Sequence, residues 1–210
     1  MTRILGISGS LRERSYNRAL LQAARELAPE SVEIEEFDLA PIPLFNPDVE
    51  AAGDPQPVAA LRDAVRNADA LLIATPEYNR GTSGVLKNAI DWLSRPAMAS
   101  VLRWKPAALM GASTGRGGTR RAQQQVRDAL LFPGAIVLDE PEVAVPLAWE
   151  HFDEDGRLVD DRIRESIRAL LEGLAAAPRA RQNAPERSRP DFGMRRPVIA
   201  DGRASQARAS

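Results

Sequence analysis

Three polar segments of the chain contain the candidate functional residues, and the first spans residues 8–17. It follows an apolar run at 4–7 and leads into a helical pattern that begins at Ser15, a residue type that often caps helices. Because the first turn of a helix presents unpaired amides and a partial positive charge, such a segment can bind an anion. Serine hydroxyls and Arg12 would add donors and charge. The pattern predicts a phosphate-binding loop, with an ordinary strand-to-helix turn and serine cap as the alternative.

The other two segments, residues 76–79 and 113–118, follow apolar runs at 70–75 and 107–112. The segment at 76–79 offers a stiff proline, an aromatic face at Tyr78 and backbone amides. The segment at 113–118 is rich in glycine, which lets a backbone approach a flat surface because no Cβ intervenes. A phosphate group at one end and a planar ring at the other describe a mononucleotide such as FMN.

The elements that hold these segments alternate along the chain as strand and helix. Apolar runs predict strands at 4–8, 32–37, 70–75 and 107–112, a last pair near 135–138 and 142–145, and a closing helix at 160–176. The run at 32–37 alternates apolar and acidic residues, as expected for an edge strand with one wet face. This order predicts a parallel sheet with helices on both faces. All three polar segments would then lie at one edge, beyond the carboxyl ends of strands.

Residues 38–57 contain five prolines. Proline fixes φ and lacks an amide hydrogen, so we predict a long ordered loop here, without a helix or strand. Loops of about this length are often functional or clamped to the domain. Leu44 and Phe45 are the candidate apolar anchors.

The amino-acid composition excludes or disfavours several classes of function. The chain has 210 residues, enough for one well-buried α/β domain, and a net charge of −1 that gives no case for binding nucleic acid or a membrane. It has no cysteine, which excludes disulfides and thiolate chemistry, and a single histidine, His151, which disfavours a histidine metal site or a Ser-His-Asp triad. We find no membrane-spanning run and no signal peptide, so we expect a cytoplasmic protein.

Residues 178–210 differ from the rest of the chain. They carry eight arginines against three acidic residues, with few large apolar side chains. We predict one domain over residues 1–177, followed by a basic and disordered tail. Contact with RNA or an acidic partner is the alternative to a solvated extension.

The three polar segments also carry motifs of a known family. They are Gly-Ser-Leu-Arg-x-x-Ser-x-Asn at 9–17, Pro-Glu-Tyr-Asn-x-Gly-x-Ser-Gly-x-Leu-Lys-Asn-Ala-Ile-Asp-Trp at 76–92 and Gly-Ala-Ser-x-Gly-x-x-Gly-x-x-Arg at 111–121. In this order, each after a strand, they resemble the NADPH-dependent FMN reductase family, whose members include bacterial quinone, azo-dye and chromate reductases. The resemblance covers about residues 3–175.

The resemblance implies a flavodoxin-like, three-layer α/β fold with a five-stranded parallel sheet and non-covalently bound FMN. NADPH or NADH would reduce the flavin, and a quinone, azo compound or similar small molecule would reoxidise it in a ping-pong cycle. The flavin carries the hydride chemistry, so we expect no catalytic side chain and no metal ion. A further hypothesis is that Arg80 or Arg116 attracts the phosphates of NADPH. A homodimer or homotetramer would assemble through the helix at 83–93, with a core position for Trp92 as the alternative.

The resemblance also implies cofactor-binding residues in all three segments. Those expected at the phosphate are Ser10, Arg12, Ser15, Tyr16 and Asn17, and those expected along the ring are Pro76, Glu77, Tyr78, Asn79, Ser113, Gly115, Gly117 and Gly118. For Glu77 the alternative is a solvent-facing carboxylate, and for Tyr78 it is packing. Two other interpretations of the chain are a flavodoxin-type electron carrier without turnover of its own, and a non-redox nucleotide-binding regulator.

Overall fold

Six strands form one parallel sheet in the computed structural model, which describes residues 1–97 and 99–177. The strands are β1 (Thr2–Ser8), β2 (Val32–Phe37), β3 (Ala70–Ala74), β4 (Pro106–Ala112), β5 (Ile136–Val137) and β6 (Val143–Val145). Their order is β2-β1-β3-β4-β5, and β6 also pairs with β4. The order therefore reverses at β1, since β2 lies on one side of it and β3 and β4 lie on the other.

The fifth position of the sheet is divided between two short strands. β5 pairs with Pro106 and Ala107 at the start of β4, whereas β6 pairs with the end of the same strand. Residues 138–142, between β5 and β6, include three exposed acidic residues and Pro141, which has no amide hydrogen to donate to a ladder. The predicted five-stranded parallel sheet is thus a sheet of five positions, the last filled in two pieces.

Helices cover both faces of this sheet. They are α1 (Tyr16–Leu27), α2 (Pro47–Ala52), α3 (Gln56–Asn67), α4 (Gly84–Leu93), α5 (Arg120–Leu131) and α6 (Asp161–Ala176), with a short 3₁₀ helix at Ala148–Glu150. Helices α1 and α6 pack against one face, and α3, α4 and α5 pack against the other. The sheet thus has a hydrophobic core on each face, and consecutive residues of a strand pack into opposite cores, as Leu71 and Leu72 of β3 do. The predicted three-layer α/β fold is confirmed.

Local sequence explains where several elements begin and where they lie. Ser15, Ser83 and Asp160 cap α1, α4 and α6, each accepting a hydrogen bond from a first-turn amide through its side chain. β3 is buried at every residue, as expected for a strand in the middle of a parallel sheet. β2 exposes Glu33 and Glu35 and lies at the sheet edge, as its alternating pattern predicts.

The prediction of a loop throughout residues 38–57 is wrong. Helix α2 begins at Pro47, where a missing amide hydrogen has no cost, and Asn46 is its N-cap. Prolines therefore start helices in this segment instead of preventing them. Phe45 anchors the segment, because its ring packs edge-on against that of Trp92 with a centroid distance of 5.0 Å. Leu44 is 83% exposed and is not an anchor.

Helix α4 uses its large apolar side chains inside the chain. Trp92 is fully buried, and its Nε1–H donates to the carbonyl of Pro43 at 2.8 Å. Leu86 and Ile90 are also buried, so these side chains are not free to form a subunit interface. Trp92 therefore has the core position that was the alternative to an interface role.

Two further predictions concern the C-terminal residues and membrane spans. The basic tail at 178–210 lies outside the described residues. Within residues 1–97 and 99–177, every helix is too short or too polar to cross a lipid bilayer.

Candidate functional site

A cavity of about 380 Å³ opens beyond the carboxyl ends of β1, β3 and β4, beside the point where strand order reverses. The three polar segments line it together. Every predicted site residue except Asn79 is among the lining residues. Arg80, Ala112 and Thr114 also line the cavity. Sequence patterns did not single out Ala112, which ends β4, or Thr114, although both adjoin Ser113.

The first segment presents the start of helix α1 to the cavity. Ser15 is the N-cap, and its Oγ accepts a hydrogen bond from the Asn17 amide at 3.2 Å. Ser10 Oγ lies 3.4 Å from the Arg12 amide, while Arg12 Nη2 donates to the carbonyl of Arg14 at 2.7 Å. The helix dipole and the Arg12 charge thus favour an anion at this end of the cavity.

The side chain of Asn17 bonds to the backbone of β4. Its Nδ2–H donates to the carbonyl of Ala112 at 3.0 Å, and its Oδ1 accepts from the Ala112 amide at 2.9 Å. The residue is 3% exposed. Its side chain therefore joins the first segment to the end of β4, instead of offering its amide freely to a phosphate.

The second segment makes a tight turn at the rim of the cavity. Tyr78 and Gly81 exchange backbone hydrogen bonds of 2.9 and 3.0 Å, with Asn79 (φ 51°) and Arg80 (φ 65°) at the corners. Two left-handed corner residues are typical of a type I′ turn. The Tyr78 hydroxyl lies 3.4 Å from Ser10 Oγ, so the turn contacts the first segment. Tyr78 as a residue is 52% exposed at this rim.

The Glu77 carboxylate is not a free solvent-facing group, because it is hydrogen-bonded to the start of helix α5. Its Oε2 accepts hydrogen bonds from the amides of Arg121 and Ala122, at 3.1 and 3.2 Å, in the first turn of α5. Thr119, the N-cap of this helix, makes no capping hydrogen bond with its own side chain. Glu77 therefore caps α5 from another loop, and this contact fixes the second segment to the helix that follows the third.

The third segment is held by the chain that follows β6. The amides of Leu147 and Ala148 donate to the carbonyls of Gly115 and Ser113, at 3.2 and 3.0 Å. Gly118 has a φ of +60°, and a Cβ at this position would come within 2.9 Å of a carbonyl oxygen in β6. Glycine is thus required at 118 for packing against β6, whereas a Cβ at Gly117 would have no heavy atom within 4 Å.

The lining residues carry a local positive charge. They include Arg12 and Arg80 but one acidic side chain, Glu77, whose Oε2 is already bonded to α5. In the described part of the chain, no cluster of His, Cys, Asp and Glu side chains is arranged to hold a metal ion. Hydroxyl, amide and guanidinium donors at one end, with an aromatic ring and glycines at the other, suit a planar ligand that bears a phosphate. FMN fits this donor set.

Comparison with known proteins decides the family. The profile of the NADPH-dependent FMN reductase family matches residues 2–150, which include all three cavity segments. The chain belongs to the NADPH-dependent FMN reductase family. It is therefore an oxidoreductase that uses FMN and a nicotinamide nucleotide.

Other members of this reductase family are similar over most of the chain. An NAD(P)H-dependent FMN reductase of Pseudomonas aeruginosa is 52% identical over 172 residues, which cover 82% of this chain and 92% of that protein. An NAD(P)H:quinone oxidoreductase of Solanum tuberosum is 41% identical over 180 residues, covering 83% and 91%. The structure of FerB, a flavoenzyme NAD(P)H:(acceptor) oxidoreductase of Paracoccus denitrificans, has a TM-score of 0.77 and 31% identity, and covers 86% of this chain and 98% of that one. The flavodoxin-like fold expected for an FMN reductase is thus confirmed.

Proposed function

We propose that this FMN reductase reduces quinones with NAD(P)H, by a ping-pong mechanism, at the cavity where the three loops converge. The observation that carries the proposal is this convergence, which puts an anion-binding helix start and an exposed aromatic ring at one cavity. Relatives in bacteria and plants that are named as quinone reductases support the choice of acceptor.

The phosphate of FMN would bind at the start of α1. Ser10, Arg12, Ser15, Tyr16 and Asn17 are the residues that we assign to it. Hydroxyls and main-chain amides would donate hydrogen bonds, and the helix dipole would add roughly half a positive charge. Asn17 would contribute by holding the loop against β4, since its side chain is bonded to the backbone of Ala112.

The ring end would be formed by the second and third segments. The residues assigned to it are Pro76, Glu77, Tyr78, Asn79, Ser113, Gly115, Gly117 and Gly118. Glu77 would act through the cap on α5, which holds the main chain at 76–78 in place, and Asn79 would act through the turn. When bound here, FMN would supply the hydride chemistry between NAD(P)H and a quinone. The chain itself provides orientation and leaves the Tyr78 side of the cavity open to both substrates.

Steady-state kinetics test this proposal directly. Purified protein should show the absorbance bands of bound flavin, and NADPH added without oxygen should bleach them. With 1,4-benzoquinone as acceptor, NADPH oxidation should give parallel double-reciprocal lines, because one substrate must leave before the other binds. A protein that binds no flavin overturns the proposal in favour of a non-redox nucleotide-binding module. A protein that binds flavin but does not oxidise NADPH would instead be an electron carrier.

We further propose that residues 1–177 form a cytoplasmic reductase domain that assembles as a homodimer or homotetramer. Leu44, 83% exposed, and Val49, 38% exposed, lie on the segment that packs against α4 and would gain by being covered. Light scattering at micromolar concentration tests the assembly. A monomer at that concentration would contradict it.

A further inference from the structure

Arg80 is a cationic residue that lines the cavity but is not among the residues that we assign to FMN. It lines the cavity and is exposed, and its guanidinium makes no hydrogen bond or ion pair within residues 1–97 and 99–177. Arg12, on the opposite segment, instead donates to a carbonyl of its own loop. The Arg80 guanidinium is therefore available to a ligand that enters the cavity.

The backbone holds Arg80 in a defined position. Its φ of 65° is uncommon for a residue other than glycine, and the turn that imposes it is closed by the mutual hydrogen bonds of Tyr78 and Gly81. Just after the turn, the amide of Thr82 donates a hydrogen bond to Gln125 Oε1 of α5 at 3.0 Å. A strained corner that is fixed on both sides suggests a function for the side chain it carries.

The surroundings of Arg80 leave its charge uncompensated. Glu77 is the one acidic side chain among the residues that line the cavity, and its Oε2 accepts a hydrogen bond from an amide in the first turn of α5. An anion that approaches the turn thus meets an unpaired guanidinium, and the one carboxylate in the cavity lining is already hydrogen-bonded to the amides of α5.

We propose that Arg80 binds a phosphate group of NAD(P)H. The inference rests on the proposed function, because it requires a nicotinamide nucleotide to enter the cavity that holds FMN. FMN has one phosphate, which we assign to the start of α1 and Arg12, whereas NAD(P)H brings a diphosphate and, in NADPH, a 2′-phosphate. A guanidinium suits such groups, since its planar N–H fork can bind two phosphate oxygens at once.

Arg116 provides a matched comparison. It is also an exposed arginine in a loop at this edge of the sheet, but it is not among the residues that line the cavity. The geometry therefore favours Arg80 over Arg116 as the phosphate ligand.

The test compares Arg80→Asn, Arg80→Lys and Arg116→Asn in FMN-loaded protein. Asparagine tolerates the left-handed corner and removes the charge, while lysine keeps the charge. For Arg80→Asn we expect the KM for NADPH to rise about tenfold with kcat changed less than about twofold, as for the loss of one charge-assisted hydrogen bond. Arg80→Lys should recover part of this loss, and Arg116→Asn should resemble the wild type. The salt dependence of KM should also weaken in Arg80→Asn.

Kinetics with NADH, which lacks the 2′-phosphate, show which phosphate group Arg80 binds. A rise in KM for NADPH alone assigns Arg80 to the 2′-phosphate, and an equal rise for NADH assigns it to the diphosphate. Changes under about twofold for both nucleotides overturn the proposal, as does a loss of FMN affinity with an unchanged KM. If the wild type does not oxidise NAD(P)H, the proposed function fails, and calorimetric titration with NADP⁺ then decides the role of Arg80. Equal NADP⁺ affinity in wild type and Arg80→Asn would overturn it.

Discussion

Replacing Glu77 with alanine should destabilise the protein through helix α5. The carboxylate accepts from the amides of Arg121 and Ala122, and Thr119 does not cap the helix with its own side chain. Loss of an N-cap acceptor costs about 0.5–2 kcal/mol, and loss of a negative charge at a helix start costs about 0.3–1 kcal/mol. Because the carboxylate is partly exposed, we expect a decrease of about 1–2 kcal/mol in the free energy of unfolding, or about 2–8 °C in Tm.

The matched control is Glu77→Gln, which keeps an acceptor oxygen and removes the charge. It should cost about half as much as Glu77→Ala in urea denaturation followed by circular dichroism. FMN affinity, measured by flavin fluorescence, should fall several-fold in the alanine variant, because the main chain at 76–78 loses its attachment to α5. An alanine variant with wild-type stability and wild-type FMN affinity would refute the capping role.

Three further predictions concern packing, a buried amide and acid stability. In Gly111→Ala the new Cβ would overlap the Thr119 side chain, so we expect a loss of several kcal/mol or no soluble protein, measured by thermal denaturation. Asn17→Ala leaves two backbone groups at the end of β4 without partners and should cost about 2–4 kcal/mol in urea denaturation. Partial burial raises the pKa of Asp160, but hydrogen bonds from first-turn amides of α6 and from His151, 2.9 Å away, outweigh it and lower that pKa below its usual value of 3.8. The carboxylate thus stabilises the protein above about pH 4. In denaturation between pH 3 and 7, wild type should exceed Asp160→Asn in stability above that pH, and the difference should vanish as the pH falls below it.

The strands and the position of the cavity could be predicted because they follow from local patterns. The fully apolar run of β3 is typical of a strand buried on both faces, and the acidic alternation of β2 is typical of a strand with one wet face at a sheet edge. The N-cap Ser15 could be predicted in the same way, since a cap depends on residues within one turn. Patterns were less reliable where a residue has two opposite uses, as with Pro47, which starts α2.

By itself, the sequence determined the alternation of strands and helices, and with it the edge at which the three polar segments meet. Tertiary structure alone decided what their side chains do there. Glu77 bonds to amides 44 and 45 positions away, and Asn17 bonds to a strand 95 positions away. Such partners are selected by the distance between packed elements, because a hydrogen bond needs its two atoms within about 3 Å of each other, and no local pattern encodes that distance.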